Sequence, residues 1–452
     1  MIFWIISWLT FFLLRLPTLF EPFWYSDEGI YLTLGQAIRH GIPLYAQIHD
    51  NKPPLLYFIA SLWPTVFGFR LILFVAMIAS VWFFYVIASK FLKPIQAKIS
   101  TFLFIVLSSI PFIEGNIANA EIFMLLPTIL GVMYFLSYNY FLSGLMLGIA
   151  FAIKVPVAVE AFVLFIWMIF FHPRKNIILN LLKYVAGCVL PIFIFTLYYL
   201  KLGVVKTFLV SALFQNFGYL GSWATGTHKT SALSGGLGQR GIIFFIFNIF
   251  IIILVKKKIL NQKFGFLFSW LSATIFGALL SGRPYPHYLI QILPPFCIIA
   301  LSLWIIPVII FLIFVVKKYD FYFYKTIAYY QNFYQKGNSV SYFGSQVNSV
   351  YNISKYIVAN TSVNDKIFIW GDEPNIYALS NRLPVGRYTV AYHISDFNAY
   401  EETIAALKKS PPPIIVYYSM SSRPFIALDE FINDFYLPEI QIGQALLFKL
   451  KK

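Results

Sequence analysis

The sequence predicts a multi-spanning α-helical membrane protein with a small soluble α/β domain at its C-terminal end. Three observations predict it. The 452 residues are 59% hydrophobic and only 12% charged, with a mean hydropathy of +0.74, whereas a soluble chain is about half apolar and a quarter charged. Apolar runs of about 15–24 residues recur along the first two thirds, and a hydrocarbon core is about 30 Å thick. From about residue 318 that pattern gives way to alternating strand and helix signals.

The runs fall at about 1–20, 69–90, 99–113, 122–138, 140–153, 156–171, 177–200, 241–255, 264–281 and 287–316, which makes about 10–11 spans. Met1 to Phe20 lacks a basic n-region and a small-residue cleavage site, so it reads as a retained first helix. The last run is too long for one ordinary span and is expected to form two short ones. Between the first two runs, Tyr31 to His40 and Leu55 to Gly68 have helical composition but are short or interrupted by Pro64. Helices lying along the interface fit them better than spans.

The net charge of +16 does not point to nucleic acid. Much of the excess sits in short clusters between apolar runs: Lys90, Lys93 and Lys98; Arg174 and Lys175; Lys256, Lys257, Lys258 and Lys263. With the N-terminus cytoplasmic, all three clusters fall on the cytoplasmic side, where they set orientation and meet anionic lipid. Cys188 and Cys297 are the only cysteines and both lie in apolar stretches, which supports neither a disulfide framework nor a thiolate metal site. In the C-terminal region, 366–370, 414–418 and 445–449 read as strands, with helices at about 345–359 and 400–409. The domains are therefore 1–316 in the membrane and 317–452 as connector and soluble unit.

The same alternation gathers the polar passages on the opposite, outer face. They are the 21–55 loop, Glu114 to Glu121, the 201–240 loop and Ser281 to Tyr288. An ionisable group drawn toward hydrocarbon costs roughly 2.5–3.5 kcal/mol on insertion scales, so such residues usually face a cavity and carry function. Asp27 and Glu28, just beyond the first span, are the candidate catalytic acids, since a carboxylate there takes a proton from a hydroxyl or coordinates a metal. The bland alternative is a solvated loop beside an anchor. Lys52, before Pro53-Pro54, suits a phosphate, and its plain alternative is a snorkelling interfacial lysine. Glu121 sits at a helix mouth, where the dipole alone would favour an acid. Lys154 ends a span on the same side. Arg283, His287 and Tyr288 belong to a proline-interrupted passage, and irregular backbone at a span's end is tolerated where it lines a cavity. His49, Asp50 and His228 are weak metal candidates, because their spacing matches no standard motif. The cofactor stays open, a divalent metal being compatible with these acids.

The passages Ser26-Asp27-Glu28-Gly29-Ile30-Tyr31 and Asn51-Lys52-Pro53-Pro54-Leu55-Leu56-Tyr57 resemble the first outer loop of the GT-C membrane glycosyltransferases. The branch is that of the protein O-mannosyltransferases, the lipid A aminoarabinose transferases and their bacterial relatives. Asn119-Ala120-Glu121, Gly148 to Pro156, and Pro286-His287-Tyr288 to Pro294-Pro295 are similar to later landmarks of that branch, in order. The resemblance covers roughly residues 1–316. It implies an enzyme of the bacterial plasma membrane that uses a polyprenyl-phosphate sugar donor at an outward-facing site, with a lipid, glycan or protein acceptor. Asp27 would be the catalytic acid and Lys52 a donor-phosphate contact, with Glu121, Arg283 and His287 lining the cavity. One departure is Asn51, where the aminoarabinose transferases carry a Glu, which weakens the case for a metal there. The rival reading is a transporter or flippase of lipid-linked glycans. It would want paired repeats and broken helices in both halves, and the sequence shows neither. A membrane scaffold comes third and leaves the acids and the Lys-Pro-Pro unexplained.

Overall fold

The apolar runs become helices in the computed structural model, which describes residues 1–173, 175–216, 236–283, 285–302, 309–310, 313, 323–419 and 423–451. In chain order the first ten helices are α1 (Ile2–Phe20), α2 (Ser26–Arg39), α3 (Leu55–Leu62), α4 (Val66–Phe91), α5 (Pro94–Leu107), α6 (Ala120–Phe123), α7 (Leu125–Leu136), α8 (Tyr140–Ile153), α9 (Val157–Phe171) and α10 (Ile177–Lys201). Helices Leu237–Lys256 and Gln262–Ala278 follow, then a 3-10 segment Pro286–Ile292 that runs into helix Leu293–Ser302. Among the described residues, α1, α4, α10 and Leu237–Lys256 are long and apolar enough to cross a bilayer, and shorter apolar helices pack around them. The chain is an integral membrane protein.

Small residues let these helices approach closely. A Cβ on Gly144 of α8 would lie 2.0 Å from the Tyr184 carbonyl of α10, and one on Gly148 would lie 2.4 Å from that of Cys188. Without a hydrophobic drive between helices in lipid, such backbone contact is a main source of association. Buried charges pin the polar end. Arg15 of α1 donates to the carbonyls of Ser108 at 2.7 Å and Gly115 at 3.0 Å, fixing the turn between α5 and α6. The basic loops meet at the other end, where the Lys90 ammonium donates to Ser137 Oγ at 2.8 Å and that of Lys263 to the Lys90 carbonyl at 3.2 Å.

The interface helices differ in extent from the expectation. α2 begins at Ser26, so Asp27 and Glu28 stand in a helical first turn instead of a loop, where the dipole favours acids. α3 stops at Leu62 before Pro64, and Thr65 then caps α4 by accepting from the Gly68 N–H. The second span therefore starts at Val66, three residues before the expected position.

The C-terminal unit holds a four-stranded sheet in the order β1-β2-β4-β3, with β1 (Phe368–Trp370), β2 (Ile414–Tyr418), β3 (Tyr436–Ile442) and β4 (Ala445–Leu450). β1 pairs with β2 in parallel, Phe368 opposite Ile415, and the other pairings are antiparallel. β3 has no counterpart in the sequence reading. It is an edge strand whose middle positions are exposed, it contains Pro438, and its register shifts there, so no buried alternation marks it.

This unit docks on the polar end of the membrane helices. In the connector helix Phe323–Gln335, Tyr329 donates to Glu21 at 2.5 Å and Tyr334 to the Leu13 carbonyl at 2.6 Å. The His49 N–H donates to the Arg387 carbonyl at 2.8 Å, and the Gln36 amide to that of Ala378 at 3.0 Å. Gly29 makes the fit, because a Cβ there would fall 2.0 Å from Asn375 Oδ1 and 2.7 Å from its backbone nitrogen. The chain thus returns to the end that carries the 21–55 loop. The hairpin expected within 287–316 lies in part outside the described residues, as do Lys317 and Lys318.

Candidate active site

Lys52 gathers two carboxylates. Asp27 presents its Oδ2 at 3.4 Å from the Lys52 ammonium and accepts from the Tyr31 hydroxyl, one helical turn on, at 3.1 Å. Asp50, almost fully buried, lies 3.7 Å from the same ammonium and accepts from Tyr57 at 2.6 Å and from the Asn51 N–H at 2.8 Å. Burial works to raise both acids, but the Lys52 charge leads the opposing effects and holds both below the ordinary 3.8. Both are therefore carboxylates at neutral pH. Lys52 itself lies 5.0 Å over the Tyr31 ring, and its carbonyl accepts from Tyr45 at 2.7 Å, so the loop before Pro53-Pro54 is held from both sides.

These groups line one wall of a cavity of about 630 Å³. The span ends supply the facing wall. Glu121, in the first turn of α6, is ion-paired with Lys154 at the end of α8, whose ammonium also lies 4.4 Å over the Tyr288 ring. His287 Nδ1 meets Glu114 Oε2 at 2.5 Å, and its Nε2 lies 3.8 Å from Glu121. Arg283 follows Gly282, whose φ of +70° turns the chain into the cavity wall. The C-terminal unit closes the top with Tyr392, His393, Asp396 and Arg423. Arg423 is held at 2.5 Å by Asp372, which also accepts from the Tyr392 N–H at 3.1 Å.

Two solved structures of ArnT from Cupriavidus metallidurans share this architecture, one bound to undecaprenyl phosphate and the other in the apo state. Each matches with a TM-score of 0.60 over 99% of this chain and 97% of that one. The chain has the GT-C fold. At 10% identity the likeness is one of fold. No protein-family model matches the chain, and no curated protein matches it.

Within the GT-C frame, the structure brings Asp27, Lys52, Glu121, Lys154, Arg283, His287 and Tyr288 into one cavity. Glu28 is not among them. It is fully buried outside the cavity lining and takes Nε of Arg70 at 2.7 Å and Nη2 at 2.8 Å, a bidentate pair that ties α2 to α4. The helix that begins at Ser26 turns adjacent residues about 100° apart, so Asp27 faces the cavity and Glu28 the bundle. His49 is not a cavity residue either. Its ring packs among Tyr388, His393 and Phe397 of the C-terminal unit, and burial followed by the neighbouring His393 pushes its pKa down to about 3. Among the described residues no three His, Cys, Asp or Glu side chains come together to hold a metal ion. His228 lies outside the described residues.

Several cavity residues escaped the sequence reading. Tyr25 and Glu114 neighbour residues that it did single out. Tyr392, His393, Asp396 and Arg423 carry no motif and reach the cavity only because the C-terminal unit docks there. Arg382 of the same unit lies away from the cavity and bonds Thr361 and the Ser380 carbonyl inside its own domain.

Proposed function

We propose that the chain is a membrane glycosyltransferase that moves a sugar from a polyprenyl-phosphate donor to an acceptor hydroxyl on the outer face of the membrane. One observation carries this reading: an ionised Asp27 and the Lys52 ammonium share a cavity at the membrane boundary with further cations. Four of the lining groups, Lys52, Lys154, Arg283 and Arg423, are cations, a fitting surround for a phosphate leaving group. That an ArnT of the same fold was solved bound to undecaprenyl phosphate supports the donor class.

In this mechanism the acceptor oxygen attacks the anomeric carbon while the bond from that carbon to the phosphate oxygen breaks. Asp27 takes the hydroxyl proton, and the lipid phosphate departs toward Lys52 and Arg283. Single displacement inverts the anomeric centre. A phosphate that engages Lys52 also draws its charge away from Asp27, which makes the carboxylate a stronger base when the donor is seated. Glu121, Lys154, His287 and Tyr288 shape the sugar and phosphate subsites, and residues 317–452 cover them. An outward-facing site is supported by the basic loops, which meet at the opposite end. The acids and bases cluster at one membrane boundary, which favours an interfacial enzyme over a carrier with a midplane site.

The test is mass spectrometry of lipid-linked sugars in cells that lack the protein. A polyprenyl-phosphate sugar should accumulate and vanish on complementation with the wild type but not with Lys52→Ala. An unchanged lipid-linked pool would contradict the proposal.

A further inference from the structure

A second polar cluster lies under the cavity, and the mechanism above makes no use of it. Glu160, in the first turn of α9, is fully buried at the edge of the apolar layer. Such a residue within a membrane bundle is costly unless every lone pair is met, and it usually serves a site. Here the Trp270 indole N–H donates to Glu160 Oε2 at 2.7 Å, and the Gln291 amide N–H donates to Oε1 at 2.9 Å. Trp270 is fully buried, so the carboxylate cannot turn without leaving an indole N–H unmet.

The consequence falls on Gln291. It lines the cavity beside Pro156 and Gly277, yet is only 4% exposed. Gly277 leaves the room it occupies, since a Cβ there would stand 2.8 Å from the Gln291 amide nitrogen and 3.2 Å from the Pro156 carbonyl. The Gln291 amide nitrogen, and not its oxygen, faces Glu160 Oε1, so the rotamer points a N–H downward. The amide oxygen and the second N–H are left for whatever fills the cavity. Gln291 is thus clamped from below by Glu160 and from the side by a glycine.

We infer that Gln291 is a specificity residue for the transferred sugar, and that Glu160, locked by Trp270, is the positioning residue that orients it. A neutral amide with one free acceptor and one free donor matches a pair of sugar hydroxyls and has no particular affinity for a phosphate. The division of labour follows: cations hold the lipid phosphate, and the Gln291 amide reads the sugar above the cavity floor. This assignment rests on the glycosyltransferase reading.

The experiment measures binding of bare undecaprenyl phosphate and of undecaprenyl-phosphate mannose, glucose and galactose to the purified full chain in detergent. Gln291→Leu should weaken the preferred sugar-bearing donor about tenfold, the usual scale of one or two lost hydrogen bonds, and leave bare undecaprenyl phosphate within about twofold. Glu160→Gln can flip the amide and should change the ranking of the three sugars. The exchange Glu160→Gln with Gln291→Glu should restore the internal hydrogen bond and the melting temperature but not the ranking. That last readout is one a merely structural trio would not give. Equal losses for the bare and sugar-bearing lipids, or an unchanged ranking in folded variants, would overturn the assignment. A wild type that binds none of the four lipids would instead sink the glycosyltransferase reading, and this one with it.

Discussion

Asp27 carries the chemistry in this account, and its neighbours define what should happen when it changes. Asp27→Asn keeps the Tyr31 contact but cannot take a proton, so turnover should fall at least about a hundredfold with donor binding largely kept. Donor titration and single-turnover rates on the purified variant check this. Because Lys52 holds Asp27 below its ordinary range, it stays deprotonated throughout the neutral range, and no acid limb near neutrality should come from it. Glu28→Gln should behave in the opposite way. It leaves the buried Arg70 guanidinium half-paired and should cost about 3–5 kcal/mol of stability, while the folded fraction keeps its turnover per molecule. Thermal melts set beside active-fraction assays separate the two. The sequence made Asp27 and Lys52 legible because acids and a Lys-Pro-Pro beside a span have few other reasons to exist. Only the family resemblance separated Asp27 from Glu28, since the start of α2 at Ser26 decides which of two adjacent acids turns inward, and no local signal marked that start.

At the scale of elements, the spans were readable from apolar runs and basic clusters, because lipid forces backbone pairing within each helix. The ends of α5 and α3 were not, as caps and prolines set them locally. Docking of the C-terminal unit was also hidden, since it rests on single fits such as Gly29 against Asn375. Gly29→Ala places a methyl into a backbone nitrogen that cannot move alone, so the domain should lift from α2 at a cost of about 1–3 kcal/mol. Faster proteolytic release of residues 345–452, with the membrane unit intact, is the expected sign. The same interface should weaken in acid. The folded pKa of His49 lies near 3, far below the unfolded value of about 6.5, so the undocked state binds more protons between those values. Its contribution is complete above about pH 6.5, declines as pH falls and is gone below about 3. His49→Phe should flatten that part of the pH dependence of domain release.

For the whole molecule, the decisive feature is one cavity built by two units, with the Asp27–Lys52–Asp50 cluster below and Tyr392, His393 and Arg423 above. The membrane half was foreseeable from its motifs. The upper half was not, because its residues are scattered over β-strand ends and short helices and converge only on docking. The geometry requires both units at the same membrane face, so a cytoplasm-active reporter fused after Lys452 should stay silent. Asp27-dependent sugar transfer is measured as release of undecaprenyl phosphate from an undecaprenyl-phosphate sugar by the purified protein, with acceptor present and no ion gradient. Steady release by the wild type and a fall of at least about a hundredfold for Asp27→Asn are expected. Equal release by both proteins, or release that depends on a gradient, would contradict Asp27-dependent transfer.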